Sequence, residues 1–168
     1  MGLMELLKKP LRNVRNKWRD RRNRPVLLYP HRDQRRGTLT VGEGTLLGRG
    51  IEIDCTGTVE IGRHCVVSDG VKILTHSHDF NSGWVEDITL EKGIKITHVR
   101  IGDNVSIGAE AMIMPKVKFV GDNSVIGARS VVTKPVGEGE IWAGNPAHKI
   151  GERPRGERRS ERDQPVQP

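Results

Sequence analysis

Residues 101–113 read Ile-Gly-Asp-Asn-Val-Ser-Ile-Gly-Ala-Glu-Ala-Met-Ile, and their spacing decides the fold. Ile101, Ile107 and Ile113 stand six apart, and glycine follows the first two. Six fits neither the 3.6-residue period of an amphipathic helix nor the two-residue period of a simple strand. Going toward the N-terminus, Val41, Leu47 and Ile53 keep the same step, and after a two-residue slip so do Ile61, Val67 and Ile73. Going toward the C-terminus, a one-residue slip precedes Val120, Ile126 and Val132. Short strands that each send one aliphatic residue inward, with a small residue to turn each corner, satisfy this pattern. Three such strands close a triangular coil, and successive coils stack their aliphatics. The expected fold is therefore all-β, a β-helix over residues 37–150. Twenty glycines and 4% aromatic content suit a narrow prism.

Charge divides the 168 residues. Residues 1–36 hold 12 Lys+Arg against 3 acids, whereas residues 37–150 hold 11 against 14. The overall net charge of +7 thus describes an arm, not the folded body, and nucleic acid is not expected as a partner. Leu3, Leu7, Leu11, Val14 and Trp18 fall at helical spacing among lysines and arginines, with Pro10 interrupting. Residues 1–24 are expected to form a basic helical arm, followed by a linker over 25–36. Two readings stay open for the arm: it lies on an anionic membrane, or it packs on protein. Residues 151–168 contain one aliphatic residue and are expected to be disordered. Cys55 and Cys65 make no disulfide framework, and no secretory or membrane-spanning segment is evident, so a cytoplasmic protein is expected, at most peripheral at the inner membrane face.

The repeat breaks after Ile73-Leu74-Thr75-His76-Ser77-His78-Asp79-Phe80, and a non-repeating loop over 76–93 follows. Imidazole titrates near neutral pH, so a histidine fixed at the end of a rigid coil beside a loop suits general-base work. His76 and His78 share a face by strand alternation. His64 and His98 read as exposed turn or strand-edge residues.

On three stretches, Asp54–Gly62 leading into Ile73–Phe80, Ile101–Ala109, and Gly121–Lys134 with Ile141–Ala147, the sequence resembles the hexapeptide-repeat acyltransferases. It is most similar to the sugar O-acetyltransferases and to relatives that modify bacterial surface polysaccharides. The resemblance implies a left-handed parallel β-helix, a homotrimer with sites between subunits, and acetyl-CoA as donor with no metal. It implies His76 as the general base, with His78 as rival, and the backbone N–H of Ala109 as oxyanion donor. It implies pantetheine near Ala109 and Ala128, and the adenosine end near Thr133, Lys134, His148 and Lys149. On the acceptor side it offers Asp54, Asp79 and Trp84. Ser106 stands where many relatives carry tryptophan, and Asp54 only approximates the family's acceptor-side pattern. The acceptor this implies is a small or lipid-linked sugar. N-acylation of an amino sugar and a non-catalytic trimeric scaffold stay open as alternatives. A histidine zinc site of the γ-carbonic anhydrase type lacks its His-x4-His pair here.

Overall fold

The computed structural model describes residues 26–28, 37–78 and 94–154. The inward aliphatics, alternating with outward residues, build three parallel sheets. Face A contains β1 (Val26–Leu28), β4 (Glu52–Asp54), β7 (Lys72–Ile73), β12 (Met112–Ile113) and β15 (Val131–Val132). Face B contains β2 (Leu39–Val41), β5 (Val59–Ile61), β10 (Val99–Ile101) and β13 (Phe119–Val120). Face C contains β3 (Leu46–Leu47), β6 (Val66–Val67), β11 (Ser106–Ile107), β14 (Val125–Ile126) and β16 (Glu140–Gly144), closed by antiparallel β17 (Ala147–Glu152). The chain visits A, B and C in rotation, so each residue pairs with its counterpart one coil on. Ile53, Ile73, Ile113 and Val132 are mutual partners and each is fully buried.

The two slips in the period are features of one corner. Partners are 20 residues apart from β4 to β7 and 19 apart from β12 to β15, two and one more than three hexads. Every surplus residue lies where face A turns into face B. The long excursion leaves at this corner too, and β7 and β12 are 40 residues apart. The other two corners keep tight turns whose second residue has positive φ. His64, Asn104 and Asn123 stack at one with φ of 55–60°, and Glu110 and Arg129 at the other. His64 is thus a turn residue, as its position suggested.

The A-to-B corner is pinned by a buried threonine. Thr75 Oγ1 donates to the Asp54 carbonyl at 2.9 Å and accepts from Gly57 N–H at 2.8 Å. A Cβ on Gly57 would stand 2.1 Å from the Thr97 carbonyl oxygen, so the two corner layers touch backbone to backbone. Thr75→Val keeps the volume but strands one donor and one acceptor. It is expected to cost about 2–4 kcal/mol in urea denaturation; a loss below about 0.5 kcal/mol would show the corner is held some other way.

Several expected boundaries move. Val26–Leu28 pairs with Glu52–Asp54 as the first strand of face A, so this part of the expected linker belongs to the prism. His76–His78 is not loop: it forms β8, antiparallel to β9 (Ile94–Ile96), with His76 opposite Ile96. Gly151 and Glu152 end β17, and Arg153 N–H donates to the Gly139 carbonyl at 2.7 Å, so the body runs past residue 150. The expected helical arm, the loop residues 79–93 and the tail from 155 lie outside the described residues. Among the described residues there is no helix, and none long and apolar enough to cross a membrane.

Candidate active site

The surplus residues at the A-to-B corner place a carboxylate under an imidazole. Asp54 ends β4 and is 1% exposed. Its Oδ1 accepts from Thr56 N–H at 2.9 Å and Thr56 Oγ1 at 2.7 Å. Its Oδ2 accepts from Thr75 N–H at 2.9 Å, His76 N–H at 3.1 Å and His76 Nδ1 at 2.5 Å. Burial alone raises a carboxyl's pKa, but the bonds from Thr56, Thr75 and His76 outweigh it and lower that of Asp54 to about 2. An ionised carboxylate has no proton to give, so Nδ1 of His76 carries the hydrogen. The basic lone pair of the neutral ring then sits on Nε2.

This geometry moves Asp54 from the role expected of it. Its side chain is 2% exposed and both its oxygens are taken up by Thr56, Thr75 and His76, so it offers little surface to an acceptor. It holds His76 instead, whose side chain is 18% exposed. The sequence carried a signal for this: the two-residue slip follows Ile53 directly, at the corner where the excursion later leaves. His78 lies on the same strand, its ring edge-on to His76 with centroids 5.5 Å apart. Its partner across the ladder is Ile94. His98 caps the corner, Nδ1 accepting from Thr58 N–H at 3.1 Å.

Ala109 and Ala128 stack at the opposite edge of face A, where C turns into A. Elsewhere in the prism, turn N–H groups are capped by an aspartate one coil on. Asp103 Oδ1 accepts from Arg63 N–H at 2.7 Å, Asp122 Oδ1 from Asp103 N–H at 2.9 Å, and Asp69 Oδ1 from Arg49 N–H at 2.8 Å. Above Ser68-Asp69 this corner carries Gly-Ala instead, at Gly108-Ala109 and Gly127-Ala128. Alanine cannot cap. The N–H groups of Asp69 and Ala109 therefore have no acceptor among the described residues. Two outward backbone donors at neighbouring heights can bind a developing oxyanion or an amide carbonyl.

Within one chain His76 and Ala109 do not meet. They occupy opposite edges of face A, on the order of 15–20 Å apart at the rise of an extended chain. Thr133 and Lys134 follow β15 and stack above the His76 corner; Lys134 is exposed and has no ion pair among the described residues. Lys149, expected to meet phosphate, is held in the terminal hairpin between Glu152 at 2.7 Å and Glu140 at 3.2 Å. Those bonds, chiefly that to Glu152, raise its pKa. His148 Nδ1 lies 3.3 Å from the Pro146 carbonyl. Asp79 and Trp84 lie outside the described residues. No three His, Cys, Asp or Glu among the described residues are grouped to hold a metal ion.

Residues 98–134 match the bacterial transferase hexapeptide (six repeats) family model. The chain is 33% identical over 115 residues to the putative colanic acid biosynthesis acetyltransferase WcaF of Escherichia coli K12, covering 68% of this chain and 59% of that one. It is 36% identical over 107 residues to a chloramphenicol acetyltransferase of Morganella morganii, covering 55% of this chain and 50% of that one. Among solved structures, a galactoside acetyltransferase in complex with coenzyme A matches with a TM-score of 0.53 and 25% identity, over 76% of this chain and 64% of that one. The chain spans only 50–59% of the length of the two curated relatives. Repeat, prism and likeness together make it a member of the hexapeptide-repeat transferase family.

Proposed function

We propose that this protein is a coenzyme A-dependent O-acetyltransferase acting on a hydroxyl of a sugar or surface-glycan intermediate, with His76 as general base. The observation that carries the reading is the buried Asp54 carboxylate on His76 Nδ1. It holds the ring with Nε2 as the proton acceptor. The acceptor hydroxyl gives its proton to Nε2 as its oxygen attacks the acetyl carbonyl. The oxyanion of the tetrahedral intermediate takes a hydrogen bond from the Ala109 N–H of a neighbouring copy. Collapse breaks the carbon–sulfur bond, and the leaving thiolate takes the proton back from His76. The coenzyme A complex of the galactoside acetyltransferase supports the donor, and the WcaF likeness supports a glycan acceptor.

Because His76 and Ala109 lie at opposite edges of face A, a complete site needs two copies. A closed ring of three, with face A of each toward the axis, brings one copy's His76 edge to the next copy's Ala109 edge. Thr133 and Lys134 take the adenosine end in this reading, and Asp79 and Trp84 of the loop the acceptor.

The chloramphenicol acetyltransferase likeness favours a second acceptor class, a drug hydroxyl, for the same chemistry. Thiol release from acetyl-CoA across sugars, nucleotide sugars and chloramphenicol tests both. Release that depends on a sugar supports the glycan reading. Release with chloramphenicol alone replaces that acceptor, and no binding of acetyl-CoA at all removes the enzyme.

Ala109→Pro probes the oxyanion donor. Position 109 precedes Glu110, whose φ is 59°, so it is the first central residue of a turn where proline is favoured. The exchange removes the N–H and breaks no bond within the described residues. A fall in kcat of about 10²–10³ with an unchanged thermal midpoint is expected; undiminished turnover assigns the oxyanion elsewhere.

A further inference from the structure

Among the described residues, face C opens at its N-terminal end on β3, with no strand beneath it. Sheet A begins one coil lower, with β1 under β4, whereas sheet C begins at β3. The outward side chain of β3 is Leu46, 66% exposed, and its register partner above is Val66, 44% exposed. Two stacked aliphatics on an open sheet edge differ from aliphatics scattered singly over a surface. The core beneath is also less covered here than higher up: Leu39, Val41 and Thr45 are 6–8% exposed, against 0–1% for most inward residues of later coils.

The chain itself supplies an occupant. Val26 pairs with Glu52, so the chain enters β1 at the corner where face C turns into face A. Val26, the first described residue, thus stands at the edge of face A that borders face C. Ahead of it stand residues 1–24, with Leu3, Leu7, Leu11, Val14 and Trp18 at helical spacing. With Pro10 dividing the segment, a helix over residues 11–24 would extend about 21 Å. The strands of sheet C rise about 5 Å each, so such a segment reaches from the entry corner across both exposed aliphatics.

We infer that residues 1–24 dock on their own chain, laying the Leu3–Leu7–Leu11–Trp18 stripe over Leu46 and Val66 at the open end of face C. The segment caps the coil stack as a terminal element, as stacked-repeat folds require, and turns its lysines and arginines to solvent.

Trypsin reads this directly, because the cleavable Lys8, Arg12, Arg15 and Lys17 lie within the docking segment. Cleavage there, followed by mass, is compared between the full-length protein and L46E/V66E. Cleavage at least about tenfold faster in the variant, at an unchanged thermal midpoint, is the expected result, since cleavage follows the undocked population. L7E/L11E gives the same release without touching the prism, and decides the matter if L46E/V66E is not folded. Equal cleavage in all three proteins overturns the inference. So does protection that rises with protein concentration, which assigns the surface to a second copy. Protection that appears only with phosphatidylserine vesicles, equally in wild type and L46E/V66E, overturns it in favour of a membrane surface.

Discussion

His76→Ala is expected to lower acceptor-dependent thiol release from acetyl-CoA by about 10²–10⁴-fold, with binding of acetyl-CoA retained. The side chain is 18% exposed and ends outside the aliphatic core, so its loss removes a proton acceptor and little packing. The thermal midpoint should stay within a few degrees of wild type. Added imidazole should restore part of the rate, because it can stand where the ring stood, and rescue of this kind is not expected for a residue that merely shapes the corner. A variant with unchanged turnover removes His76 from the mechanism, and His78, on the same strand with its ring 5.5 Å away, becomes the base to test.

Asp54→Asn is expected to act on both rate and stability. Asparagine offers one acceptor oxygen where the carboxylate offers two, and no charge to face the imidazolium formed during transfer. Losing the carboxylate behind a catalytic histidine misorients the ring, and a fall in kcat of about 10²–10⁴ is expected, with little change in the KM for acetyl-CoA. The stability effect has a defined pH window. The folded pKa of Asp54, about 2, lies below its ordinary value of 3.8. Its hydrogen bonds thus add stability that is fully present above about pH 4 and is lost as pH falls toward 2. The difference corresponds to about 2 kcal/mol. Unfolding midpoints at pH 7 and near pH 2.5 should converge between wild type and Asp54→Asn at the lower pH. A gap that is the same at both would show that Asp54 contributes by shape and not by charge.

The prism was legible in the sequence because its cause is local. Each aliphatic at the sixth position meets its own kind one coil away, so the period written in Ile101, Ile107 and Ile113 reappears as buried columns. Even the slips were readable, since extra residues can only leave a closed coil at a corner. Their meaning was not readable. Asp54 and His76 are 22 residues apart and become neighbours only because β4 and β7 pair with a 20-residue offset. Without that offset a lone aspartate near the expected acceptor side is read as a sugar ligand. The donors at Asp69 and Ala109 were hidden for a related reason. A backbone N–H leaves no mark in a sequence; only the missing cap from Ala109 and Ala128, set against Asp103 and Asp122, reveals it. The strand Val26–Leu28 was missed because three residues between prolines and arginines carry no six-residue period.

The central claim is a site assembled from His76 of one copy and Ala109 of the next, and mixing two inactive proteins tests it most directly. His76→Ala keeps the donor edge, and Ala109→Pro keeps the base edge. Unfolded together and refolded as mixed rings of three, random assembly pairs an intact base edge with an intact donor edge at about a quarter of the junctions. The account predicts that thiol release returns to about a quarter of the wild-type rate, while each variant refolded alone stays inactive. A mixture no more active than its two components would contradict it.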